Sequence, residues 1–184
     1  MIEYRNILDV KSELQQRVRE WRNSDRVRMN MLASDLISEE QHRRWLASLA
    51  DRPDRQIVRV AFFEGVPFGI ITLKDIDRCS FRSDWGMYIG EECFLGRGLA
   101  KVMLFDLLVW AFEEEKLQRL YTSVLSDNAK AVALYLEHGF HFEGRFERHV
   151  RRESGELVDV YWLAVFADVW LEKKESLRSL LPTN

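Results

Sequence analysis

Two glycines, Gly96 and Gly98, stand in the run CFLGRGLAKVM, where the sequence changes character. Before it comes DWGMYIG, short, aromatic and β-prone; after it comes LFDLLVWAF, apolar almost without a break. A strand therefore hands over to a helix at the glycines. Each glycine inside a helix costs about 1 kcal/mol relative to alanine. A pair at the mouth of one helix serves either a tight turn or a clearing in which a ligand lies against bare backbone. Such a clearing suits an anion, because the first N–H groups of a helix lack internal partners and its dipole is positive there. The two cysteines, Cys79 and Cys93, have neither a disulfide framework nor metal-ligand spacing around them, so no metal is expected.

The elements that must position this loop can be read along the chain. IEYRNI (2–7) is a short strand, and KSELQQRVREWRN (11–23) a helix with Leu14, Val18 and Trp21 on one face. SDRVRMNMLASDL is an irregular loop or a short helical turn. Ser38 and Gln41 make a capping-box start for a helix over 38–51. QIVRVAFFE and VPFGIITLKDI are strands joined at Glu64-Gly65, a hairpin signal, and SFRSDWGMYIG adds a third. The apolar helix from about Gly98 to Glu115 follows, then strand RLYTSVLS (119–126) and a helix running from Asn128 as N-cap to Gly139. A long hairpin, HFEGRFERHVRRE to LVDVYWLAVFA, and a last helix, DVWLEKKESLRSLL, complete the order.

The 184 residues, 47% hydrophobic and 31% charged, fit a single domain over 1–184 with a full core. Lys plus Arg is 27 against 30 for Asp plus Glu, a net charge of −3, which disfavours a nucleic-acid binder. MIEYRNILDV lacks the apolar region of a signal peptide, and no apolar run approaches the ~18–20 residues that span a bilayer. The expectation is a soluble cytoplasmic protein with neither nucleic-acid nor membrane partner.

Three features together resemble the GCN5-related N-acetyltransferase (GNAT) family. GRGLAKVM matches the second half of its acetyl-CoA signature, Q/R-x-x-G-x-G/A, and NAKAVALYLEHGF matches its Asn-x-x-Ala-x-x-x-Tyr-x-x-x-Gly-Phe segment. The strand order places the glycine loop after the fourth strand and the tyrosine helix after the fifth. The resemblance implies an α+β (mixed α/β) fold: a central, mostly antiparallel sheet of about seven strands, splayed between the fourth and fifth and flanked by helices. It implies acetyl-CoA as cosubstrate, its diphosphate on the main chain of Leu95, Gly96, Arg97, Gly98, Leu99 and Ala100. The pantetheine would pair with backbone groups of Met87, Tyr88 and Ile89, with Asn128 near the coenzyme arm and Tyr135 as the general acid for the departing thiolate. The family's leading Gln or Arg falls on Cys93 here, so Arg97 and Lys101 are expected to supply the positive charge. No carboxylate stands at the centre of WGMYIG, so proton removal is expected to run through water towards His42, Asp84 or Ser123.

VREWRNSDRVRMNM followed by ISEEQHRRWL resembles one branch of the family, the enzymes that acetylate a 4-amino nucleotide sugar on the way to pseudaminic acid. The Trp-Arg-Asn, Arg-x-x-Met and His-x-x-Trp elements occur there in the same order. This implies acetylation, by direct transfer, of the 4-amino group of a UDP-4-amino-4,6-dideoxy-N-acetyl-altrosamine-type sugar. Two phosphates and a flat uracil call for cations and aromatic faces, which Arg22, Arg26, Arg28, His42 and Trp45 would offer, with Ser123 nearby. GELVDVYWLAV also recurs in ribosomal-protein and polyamine acetyltransferases, and both remain alternatives. So does a non-catalytic acyl-CoA-binding sensor of the same fold, against which Tyr135 argues. A homodimer is compatible with any of these.

Overall fold

The turn Glu64-Gly65 takes positive φ at both residues, 52° and 78°, as a two-residue hairpin loop requires, and joins β2 (Gln56–Phe63) to β3 (Val66–Asp77). In this computed structural model, which describes residues 2–182, that hairpin belongs to a seven-stranded sheet. The other strands are β1 (Ile2–Asn6), β4 (Arg82–Ile89), β5 (Arg119–Leu125), β6 (His141–Arg151) and β7 (Leu157–Phe166), in the spatial order β1-β2-β3-β4-β5-β7-β6. Every neighbouring pair is antiparallel except β4 and β5. The sheet is therefore mixed and mostly antiparallel, as expected.

Alternate strand residues face two separate cores. On one side Val58, Val60, Phe62 and Ile70 meet Val18 and Trp21 of α1 (Ser12–Asn23) and Leu49 of α3 (Glu39–Asp51). The start of α3 carries the expected capping box, Ser38 and Gln41 each bonding the other's backbone N–H. On the other side Ala61, Ile71, Leu73 and Trp85 meet α4 (Leu99–Val109), and Phe105 of α4 stacks edge-on against Trp170 of α6 (Ala167–Ser179). An apolar helix sandwiched between sheet and helix needs no polar face. That is why LFDLLVWAF shows no break.

The segment after α1 holds one helical turn, α2 (Asp25–Arg28), before running irregularly to Ser38, within the range expected; one expectation shifts in detail. The α4 helix does not stay regular to Glu115: its last turn, Trp110–Glu114, widens to π geometry, with Glu115 N–H donating to Trp110 O at 2.9 Å. The extra residue in that turn lets Trp110, Ala111 and Phe112 all be buried in succession. Among the described residues no helix is long and apolar enough to cross a membrane.

Candidate active site

The β4–β5 pairing is short. It runs from Arg82↔Arg119 to Asp84↔Tyr121 and stops, although β4 continues to pair with β3 as far as Ile89 and β5 with β7 as far as Leu125. Beyond Asp84 the two strands have parted. Peptide groups of alternate residues point to the same side of a strand. Trp85 sends its carbonyl towards β5, where Thr122 Oγ1 donates to it at 3.3 Å, so the groups of Met87 and Ile89 also face the gap. Tyr88 does not: its peptide faces β3, and its hydroxyl crosses the α1-side core to Val18 O at 3.3 Å. The expected pantetheine edge thus contracts to Met87 and Ile89.

After β4 the chain reaches the glycine loop. Gly96 and Gly98 both take left-handed φ, 73° and 74°, and Gly98 is the N-cap of α4. They differ in surroundings. A Cβ at Gly96 would meet no protein atom within 4 Å, whereas one at Gly98 would lie 2.6 Å from Pro182 Cγ. Gly96 therefore leaves a true clearing beside the free N–H groups of Leu99 and Ala100, and Gly98 is also a seat for the C-terminal segment. Leu95 and Arg97 are exposed on the loop, the guanidinium of Arg97 lying 5.2 Å over the Phe94 ring. Lys101 is not free for an anion as expected, because its Nζ pairs with Glu137 Oε1 at 2.6 Å.

The helix α5 (Ala129–Glu137) approaches the same end of the gap. Asn128 caps it, its side chain accepting from Ala131 N–H at 3.3 Å. Tyr135 packs edge-on against Trp85, ring centroids 4.9 Å apart, and against Phe140 at 5.7 Å. Trp85 is the first β4 residue past the split, so the tyrosine stands over the place where the strands part. Burial, with a smaller contribution from the Asp84 charge, pushes its hydroxyl up to about 12. It is a proton donor throughout the neutral range.

Of the three groups considered for proton removal, Asp84 has the position. It is the last β4 residue paired with β5. Burial holds its carboxyl above the usual range, in spite of Lys74 Nζ at 3.0 Å. Ser123 sits half-buried on β5 opposite Trp162. His42 is buried away from the gap, with Nε2 2.8 Å from Gln15 O, and desolvation lowers its pKa. With Trp45, 5.3 Å away, it belongs to the packing between α1 and α3.

The arginines divide. Arg28 is committed to Asp25, Glu153 and Ser34 O. From the β6–β7 turn, Arg152 binds Met29 O at 2.5 Å and pairs with Asp127, so α2 and that turn are bracketed together. Arg22 has only Ala33 O as a hydrogen-bond acceptor, its Nη1 is buried without a partner, and no carboxylate lies within 4 Å among the described residues. Arg26, expected as an acceptor-side cation, instead donates to Ile89 O and Gly90 O, and Thr122 was not among the expected contacts; no local pattern marks either role, since their partners are far off in the chain. A cavity of about 390 Å³ lies elsewhere, between β1–β3 and the far flank of α4.

The chain matches known proteins over most of its length. The acetyltransferase (GNAT) domain family matches residues 12–148. The L-amino acid N-acetyltransferase AaaT of Escherichia coli is 30% identical over 123 residues, 65% of this chain and 74% of that protein. The acetyltransferase PseH of Campylobacter jejuni is 26% identical over 140 residues, 76% of this chain and 85% of that one. A spermidine N-acetyltransferase from Vibrio cholerae, solved with CoA and spermine, superposes with a TM-score of 0.83 at 18% identity, covering 92% of this chain and 98% of that one; at that identity the likeness speaks to the fold. With the parted strands, the glycine loop and the tyrosine helix in one place, this chain belongs to the acetyltransferase (GNAT) family.

Proposed function

We propose that this acyltransferase moves an acetyl group from acetyl-CoA directly to an amine that carries an anionic group, and that the acceptor is the 4-amino group of a UDP-4-amino-4,6-dideoxy-N-acetyl-altrosamine-type sugar. Acetyl-CoA supplies a thioester-activated acetyl group. The chain's own residues fit it: Gly96 keeps a clearing at a helix N-terminus for a diphosphate, and Met87 offers an unpaired N–H and C=O to an extended arm. Met87 N–H is placed to polarise a carbonyl and stabilise the oxyanion that develops on it. Tyr135 donates to a departing thiolate. Asp84 takes up the proton of the acceptor amine, directly or through one water.

The observation that carries the acceptor class is Arg22. A half-buried guanidinium without a carboxylate partner is costly, and desolvation lowers its pKa. A phosphate or carboxylate would complete it with charge-assisted hydrogen bonds; a polyamine would be repelled. A free L-amino acid, whose carboxylate suits the same guanidinium, is the second reading, favoured by the relative at 30% identity.

The test is a panel of amines with acetyl-CoA: the UDP-4-amino sugar, L-amino acids, spermidine and peptides with free N-termini. The expected result is turnover of the nucleotide sugar, with Arg22→Met lowering kcat/KM by about 10–100-fold. Activity confined to L-amino acids would select the second reading. Activity on spermidine alone would overturn both.

A further inference from the structure

A strand that loses its neighbour leaves peptide groups needing partners. Where β4 parts from β5, three residues point such groups into the gap. Trp85 is satisfied by side chains on both counts, its N–H by Asp84 Oδ1 at 2.6 Å and its C=O by Thr122 Oγ1 at 3.3 Å. At the far end the Ile89 carbonyl accepts from Arg26 Nη1 at 2.9 Å, and the other arm of the same guanidinium reaches Gly90 O at 2.7 Å. Met87 lies midway, its N–H and C=O without a partner among the described residues.

We propose that Arg26 is a positioning residue for acyl transfer: by pinning the end of the parted β4 edge it fixes Met87 as the peptide group that receives the thioester arm. The inference rests on the reading that this edge binds the coenzyme. Arg26 itself is spent on the strand. Both terminal nitrogens hold carbonyls, and its Nε is buried without a hydrogen-bond partner, with Glu92 Oε1 3.7 Å away. It is therefore not the acceptor-binding cation that its place among the arginines suggested. The helix before it, α1, is held to the same loop by Trp21. Trp21 Nε1 donates to Glu91 at 2.8 Å, and the Trp21 ring fills the space of a Gly90 side chain, whose Cβ would fall 2.2 Å from it. The helices on the acceptor side thus set the shape of the coenzyme strand.

The test compares Arg26→Gln and Arg26→Lys with the unaltered chain by calorimetric titration of acetyl-CoA, by hydrogen exchange at 87–90 and by melting temperature. Loss of two charge-assisted bonds should weaken acetyl-CoA binding about tenfold and speed exchange at Gly90, whose N–H is bonded to Phe68 O at 2.6 Å. Lysine, with a point charge in place of a fork, should recover most of the affinity and leave a loss of about threefold. Unchanged affinity in both variants overturns the proposal. If the glutamine variant does not fold, the lysine variant decides alone: a loss of about threefold supports the proposal, and none overturns it. If the unaltered chain does not bind acetyl-CoA, the functional reading fails instead.

Discussion

Tyr135 contributes a hydroxyl whose pKa, about 12, lies above that of an ordinary thiol at about 8.5. Full proton transfer to a thiolate is then uphill. In the proposed reaction the hydroxyl would act first as a charge-assisted hydrogen bond that strengthens as negative charge collects on sulfur. Tyr135→Phe keeps the packing on Trp85 and Phe140 and removes only that bond. It should cut turnover about 100-fold or more while acetyl-CoA affinity, read by titration, stays within about twofold. Unaltered turnover would strip the residue of its role. The hydroxyl stays protonated at neutral pH, so with Asp84 as the proposed base activity should fall as pH drops through its raised pKa and the carboxylate is lost. At this scale the sequence spoke clearly where a residue sits in a local pattern, as Tyr135 and Asn128 do. It named His42 and Arg26 for the acceptor side but could not show that the His42 ring nitrogen bonds Gln15 O on another helix, or that the acceptors of Arg26 lie 63 and 64 residues away.

The α4 helix begins at two glycines that one pattern treated as equivalent. Both alanine variants must bear left-handed φ, at about 1–2 kcal/mol each, but only Gly98→Ala also drives a methyl into Pro182. Gly98→Ala should therefore melt lower than Gly96→Ala. Gly96→Ala should instead lose acetyl-CoA affinity, by about tenfold, because the methyl fills space that only a ligand would otherwise use. Equal affinity would show that the diphosphate lies elsewhere. Element identities were legible because each is written locally: the Ser38–Gln41 box, the Glu64-Gly65 turn, the apolar run of α4. The split of β4 from β5 is not written in either strand. It is visible only as a register that ends at Asp84↔Tyr121, and the widened last turn of α4 answers to how Trp110 and Phe112 are buried, not to any breaker residue.

Across the whole molecule, Tyr4 of β1 donates to Asp106 Oδ2 of α4 at 2.9 Å, 102 residues away. Burial, the larger effect, pushes the Asp106 carboxyl up from 3.8 to about 6. The folded chain therefore holds this proton more tightly than the unfolded one. The resulting stabilisation is fully present below about pH 4 and lost as pH rises through about 6, above which the buried charge costs about 3 kcal/mol. Asp106→Asn keeps an acceptor for Tyr4 without the charge. It should melt above the unaltered protein at pH 8, with the difference closing by pH 4; a lower melting temperature at pH 8 would refute the assignment. The Tyr4–Asp106 contact, like Pro182 against Gly98, joins a terminal segment to α4 in the middle of the chain, a span that no sequence window contains. The vacant rung at Met87 has its own consequence. A strand presents hydrogen-bonding groups to one side only at every second residue, some 6.5–7 Å apart, and on this edge the rung below is occupied and the carbonyl above is taken. A guest paired there has no neighbouring berth to slide into, so its reactive end would return to the same spot at every cycle without a lid to hold it.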